Sequence, residues 1–200
     1  MEDLVSPLTY TAFQGERCLV TGSPEQVAVA TRQALQVDPQ APVLIFDDHT
    51  GRQVDMNLRG SDEDVLQRLQ PVSAEAPRVA RGPGRPRLGV VAREVTLLPR
   101  HWEWLAAQPG GASVTLRKLV DTARRENAWQ DEVRQAQAAC DRFMATMAGN
   151  RPGYEAASRA LYAGDAAAFR EHIAEWPVDI RAHAARLALA VFEVEVPAQA

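Results

Sequence analysis

Apolar and polar positions along this chain keep two different rhythms, and the change between them divides it. Residues 9–69 read as a small α/β unit. Glu16–Val20 is a short strand candidate, and Ser23-Pro24-Glu25-Gln26 marks a helix start. Ser23 can cap it, Pro24 suits the first helical position, and Gln26 completes a capping box. Val27, Ala30, Ala34 and Leu35 follow at helical spacing until Pro39 and Pro42 end the element. Val43–Phe46 has the unbroken apolar pattern of a buried strand. Asp47-Asp48-His49-Thr50-Gly51 reads as a turn, with Gly51 available for positive φ. Beyond it Val54, Met56 and Leu58 alternate with Gln53, Asp55 and Asn57, so the next strand is half exposed and the pair makes a hairpin.

Residues 70–89 break the pattern. Pro71, Pro77, Pro83 and Pro86 with Gly82, Gly84 and Gly89 deny this linker a regular element. A short apolar strand follows, then helices. Trp102, Leu105 and Ala106 form one face of a short helix closed by Pro109-Gly110-Gly111, and Ser113 is placed to cap the next. In that helix Leu116, Leu119, Val120 and Ala123 make an apolar stripe. Trp129, Val133, Ala136, Cys140, Phe143 and Met147 give a seam of under three heptads, which predicts a helix packed within its own chain rather than a free coiled coil. Tyr154–Ala163 is a helix broken by Gly164-Asp165. Asp165 caps the next, whose face is Phe169, Ile173 and Trp176, and Pro177 stops it. Asp179 is the expected cap of a last helix carrying Ile180, Ala184 and Leu187. The fold class this predicts is α+β. A small N-terminal α/β domain (1–70) is followed by a Pro/Gly-rich linker (71–89), a strand-helix-helix segment (90–127) and a C-terminal helical bundle (128–200).

Composition narrows the class. Of 200 residues 46% are hydrophobic, enough for a core, and the many alanines favour helix. No apolar run approaches the roughly 20 residues of a membrane helix. The opening MEDLVSPLTY has acids where a secretory signal has bases, so the expected location is the cytoplasm. Two cysteines, Cys18 and Cys140, are too few for a disulfide framework and read as reduced thiols. No zinc-type spacing exists among them and the four histidines.

Charge changes the picture most. The net charge is −4, yet Arg78–Arg125 holds ten Lys or Arg against three acids. Residues 1–70 hold eleven acids and five bases. A basic block in an acidic chain is the footprint of a phosphate-binding element. Within it, Gly84-Arg85-Pro86, flanked by Arg81 and Arg87, resembles an AT-hook. Arginine there would enter the narrow minor groove of A·T tracts. Pro83 stands where such a hook usually has a base. Ala92–Arg125 resembles a ribbon-helix-helix module. That resemblance implies that two chains pair their strands and insert the ribbon in the major groove, with the second helix's N-terminus on a phosphate. It places Arg93 and Thr96 on or near the ribbon, Arg100 and Lys118 near the backbone, and Ser113, Val114 and Thr115 at the helix end. Glu94 and Leu98, facing outward, make a weak reading face. Trp102 and Trp104, two residues apart, cannot both be buried on one helix face.

Asp47, Asp48, His49 and Asp55 are a further cluster, of the type that binds a hard metal or does acid–base work, although Asp-rich turns are common in hairpins. At full length the chain resembles an uncharacterised bacterial domain-of-unknown-function family (number 2239). The resemblance rests on FDDHTGRQVD (Phe46–Asp55), Gly84–Asp121, FMATMAGN (Phe143–Asn150), RALYAGD and WPVDIRAH. It implies one unit from end to end and carries over no activity. On the basic segment, the expected function is non-enzymatic, that of a transcriptional regulator or a nucleoid-associated protein. A homodimer binds double-stranded DNA, A·T-rich by the hook, with no cofactor, and the acidic domain senses or binds a partner. A protein-interaction adaptor is the first alternative, and a metal-dependent hydrolase on the Asp47 cluster is the second.

Overall fold

The computed structural model describes residues 8–69 and 91–193. The expected 70–89 linker, and with it Arg81, Arg85 and Arg87, lies outside them. Four antiparallel strands, β1 (Tyr10–Gln14), β2 (Arg17–Gly22), β3 (Val43–Asp47) and β4 (Arg52–Val54), form one sheet in the order β2-β1-β3-β4. The helices are α1 (Pro24–Val37), α2 (Asp62–Leu69), α3 (Pro99–Ala106), α4 (Gly111–Glu126), α5 (Ala128–Ala148), α6 (Tyr154–Ala163), α7 (Ala166–His172), α8 (Val178–Leu187) and α9 (Leu189–Phe192). The protein is thus α+β, with a small sheet first and mostly helix after it. No helix among the described residues is long and apolar enough to cross a membrane.

The sheet is covered on both faces. Ala12 and Ile45, opposite each other in the β1–β3 register, pack with Val27 of α1. The alternate positions, Phe13 and Phe46, enter a second core with Cys140, Phe143 and Met144 of α5 and Ile180 and Ala184 of α8. Phe13, Phe46 and Phe143 meet pairwise at centroid distances of 5.0–6.1 Å. This geometry favours aromatic pairs beyond their area. Phe169, Ile173 and Trp176 complete the same core, as their helical face predicts. One helix cannot cover both sides of a sheet, so the chain brings back its C-terminal helices to cover the other. The described residues accordingly fall into two compact units. One is the sheet with α1, α2 and α5–α9, and the other contains α3 and α4. The first unit thus takes its described residues from both sides of the second, from 8–69 and from 129–193.

Local signals decide most ends. Ser23 and Gln26 form the capping box that opens α1. Gly164, in the left-handed region, closes α6, and the Asp165 side chain accepts from the Ala167 and Ala168 N–H groups to open α7. The seam on α5 is packed within the chain, with Cys140 and Phe143 fully buried and Trp129, Val133 and Ala136 half-buried. Three expectations change, and two elements are new. β1 and α2 had no sequence forecast. The strand after the turn covers Arg52–Val54 and stops short of Met56. The buried face of α1 is Val27, Ala28 and Thr31, because the helix packs against β2, β1 and α2 rather than lying at a free surface. Asp179 does not cap α8, which begins after Pro177; its Oδ2 accepts from the Cys18 N–H at 2.8 Å and ties α8 to β2.

Gly51 and Gly15 separate two costs of replacing a turn glycine. Both have positive φ, at +66° and +59°. A Cβ on Gly51 would collide with the Ala139 carbonyl, whereas one on Gly15 meets nothing within 4 Å. Gly15→Ala is expected to lose about 1 kcal/mol from backbone strain alone. Gly51→Ala should lose about 3 kcal/mol or more, because α5 must also move. Urea titrations of both variants against the wild type measure the difference.

Candidate functional site

Two places bring together the residues that the sequence singles out. The first is the unit containing α3 and α4. Pro99 opens α3 and Leu105 is its buried residue. Gly110 and Gly111, at φ +91° and +72°, make the tight turn into α4. α4 therefore begins at Gly111, and Ser113 is its third residue rather than its cap. The Ser113 carbonyl accepts from Arg117 Nε at 3.2 Å. Thr115 lies two residues further in, half-buried. The left-handed conformation needed at Gly110 is one that serine avoids, so the glycine pair takes over the start of the helix. Ala92–Leu98 carries no strand ladder in the single chain. Arg93, Thr96, Arg100, Ser113 and Lys118 are all exposed. Among the described residues Arg93, Arg100 and Lys118 lie in no ion pair.

This unit has almost no core of its own. α4 buries none of its residues, and its stripe residues Leu119 and Val120 are 48% and 54% exposed. Trp102 and Trp104 are both exposed as well, at 40% and 52%. The apolar stripe legible in the sequence is real, but among the described residues Leu116 is only half-buried and Leu119 and Val120 stay exposed.

The second place is the turn after β3. The Asp47 side chain accepts from the His49 and Thr50 N–H groups at 2.9 and 3.3 Å, so it holds the turn. Asp48 points inward and is buried. Its Oδ2 accepts from Arg186 Nη2 at 2.9 Å and from the Thr11 hydroxyl at 3.1 Å. That commits the Thr11 proton, so the Thr21 hydroxyl, 2.9 Å away, donates to Thr11. Arg186 Nη2 also donates to His183 Nδ1 at 2.9 Å. The remaining imidazole proton then sits on Nε2, 3.5 Å from Asp48 Oδ1. Phe13 and Phe143 flank this ring at 5.4 and 4.4 Å. Burial among them pulls the His183 pKa down to about 4; Asp48 opposes that shift and Arg186 adds to it. His183 is therefore neutral at pH 7. Asp47, Asp48, His49 and Asp55 do not converge, and no group of three or more His, Cys, Asp or Glu among the described residues is arranged to hold a metal ion. Cys18 and Cys140 are free thiols, and burial pushes the Cys140 thiol up to about 12.

The network touches β1, β3 and α8, the elements at the two ends of the described chain. The family model described as "Uncharacterized protein conserved in bacteria (DUF2239)" matches residues 9–188, from the start of the sheet to the end of α8. The chain belongs to this family. No curated protein and no solved structure matches it. The family's span takes in both units and the whole Asp48 network. Of that network only Asp48 stood out in the sequence. His183 and Arg186 are three residues apart on one helix among alanines, and that spacing was the available signal.

The depressed His183 pKa makes stability depend on pH. The folded state binds a proton at His183 less readily than the unfolded state, whose histidine has its ordinary value near 6.5. Stability is full above about pH 6.5 and falls as the pH drops toward 4, by about 3 kcal/mol in all. His183→Asn, whose amide oxygen can replace Nδ1 as an acceptor, should flatten that slope. Urea midpoints measured from pH 4 to 8 for both proteins give the comparison.

Proposed function

We propose that this chain is a DNA-binding protein that acts as a homodimer through residues 72–128. The observation that carries the reading is the pairing of charge with unburied apolar surface in one unit. Residues 72–128 hold ten Lys or Arg against five acids in a chain of net charge −4. Seven large exposed apolar side chains also belong to this unit: Val91, Val95, Leu98, Trp102, Trp104, Leu119 and Val120. A soluble chain rarely leaves so much apolar surface in water. A second copy covering it would bring two basic faces together along one duplex.

Within that arrangement Lys118, Arg93 and Arg100 neutralise phosphates, and the first N–H groups of α4 from Gly111 supply a further anion contact. A ribbon made from residues 92–98 of both copies would fill the major groove, and Arg85 in its Gly-Arg-Pro setting would reach the adjacent minor groove. The unit built on the sheet is the sensing or partner-binding module.

Fluorescence anisotropy with A·T-rich and G·C-rich duplexes over a salt series tests the reading. Affinity is expected to fall steeply with salt, with Lys118→Ala lowering the log–log slope by about 1. Arg85→Ala should erase the A·T preference. Leu119→Asp should turn a dimer into a monomer in sedimentation and weaken DNA binding with it. Absence of binding at low salt would defeat the proposal, and an acidic protein captured by the same unit would replace it with the adaptor reading.

A further inference from the structure

Beside the Asp48 network lies a pocket of about 670 Å³. That is the size of a site for a small metabolite, within the range of about 300–1,000 Å³. Part of its wall is apolar, formed by Leu8, Ala136, Ala139, Leu187 and Ala190. Its polar groups are unlike one another. Arg186 turns one terminal nitrogen inward to Asp48, Thr11 and His183. Nη1 and Nε have no hydrogen-bond partner among the described residues, and the side chain is 39% exposed. The buried carboxylate thus holds the guanidinium in place while part of its donor set stays available. Preorganisation of this kind lowers the ordering cost of binding.

Arg186 alone would suit a simple anion. The same pocket, however, is lined by Asp131 and Glu132, which oppose one. Asp131 is paired with Arg134. Glu132 has neither an ion pair nor a side-chain hydrogen bond among the described residues. Glu132 precedes Ala139, which lies against Gly51 in the Asp48 turn, by seven residues. Two turns of helix separate them, about 10 Å at 1.5 Å per residue. The pocket therefore has a cationic donor beside the turn, an acid further along α5, and apolar surface lining the rest.

We infer that this pocket binds a small zwitterion, with a carboxylate on Arg186, an amine on Glu132, and an apolar body against Leu187 and the alanines. With the acid about two helical turns from the Asp48 turn, the simplest molecule of that class is an ω-amino acid, whose charges lie at opposite ends of an apolar chain. The site lies wholly within the sheet unit and does not depend on the DNA reading, so either can fail alone.

Titration calorimetry of the full chain with a series of straight-chain ω-amino acids of increasing length is the test. At least one member of the series is expected to bind. Its decarboxylated amine and its deaminated acid should each bind at least about tenfold more weakly, since each loses one charge-assisted contact. Glu132→Gln, at an exposed position, should weaken binding by a similar factor with an unchanged melting temperature. Ala190→Trp should abolish it by filling the pocket while leaving the Asp48–Arg186 pair intact. Arg186→Ala strips Asp48 of its partner and can unfold the protein, so these two variants carry the decision. Failure of every amino acid to bind overturns the inference. So does equal binding of acetate or inorganic phosphate, or amino-acid binding untouched by both variants.

Discussion

The constraint on which the sheet unit depends is that β1 and β3 are wet on neither side. α1 lies across one face and α5 with α8 across the other. A four-stranded sheet in this position has no solvent face on which to discard a polar group. Polarity that enters must find partners inside, and Thr11, Asp48, Arg186 and His183 bond to one another there, although Asp48 Oδ1 and His183 Nε2, 3.5 Å apart, make no hydrogen bond. Breaking such a pair by removing one partner costs about 3–5 kcal/mol, because the other charge stays buried. The ionic contact and the aromatic contact of Phe13, Phe46 and Phe143 share one seam. Both join elements from opposite ends of the described chain.

That constraint also explains what the sequence disclosed and what it hid. Caps are local, so the Ser23 box, the Gly164-Asp165 break and the Asp47 turn were readable from a few adjacent residues. The helical face of Phe169, Ile173 and Trp176 was readable for the same reason. β1 was not, since Thr11, Ala12 and Phe13 are buried in succession and a strand covered on both sides loses its alternation. α2 hid because only Val65 is buried along its eight residues. Asp48 was visible as a candidate but not its partners, for an ion pair between residues 138 apart leaves no spacing to read. Ser113 misled because a serine before an apolar stripe is a common helix start, and a glycine pair just ahead of it had the better backbone for the turn.

The two units divide the physical roles. The sheet unit has a core of its own, with Asp48 paired inside it and Phe13, Phe46, Phe143 and Phe169 fully buried. The α3–α4 unit is open, with Leu105 as its buried apolar anchor and its tryptophans and leucines outside. A unit with its own core suits a pocket, and an open basic one suits an assembly on a charged polymer. The proposed zwitterion site and the proposed DNA surface therefore call on different parts of one chain.

Because the core that covers the second face of the sheet comes from α5 and α8, the order of synthesis matters. A ribosome releases β1 to β4 long before it releases α8, with well over a hundred residues between β3 and the end of α8. At about 5–20 residues per second the exposed face of Phe13 and Phe46 waits for roughly ten seconds. During that interval a half-covered sheet is the most vulnerable species in the life of this chain. Chaperone demand should therefore fall on its nascent form rather than on the finished protein.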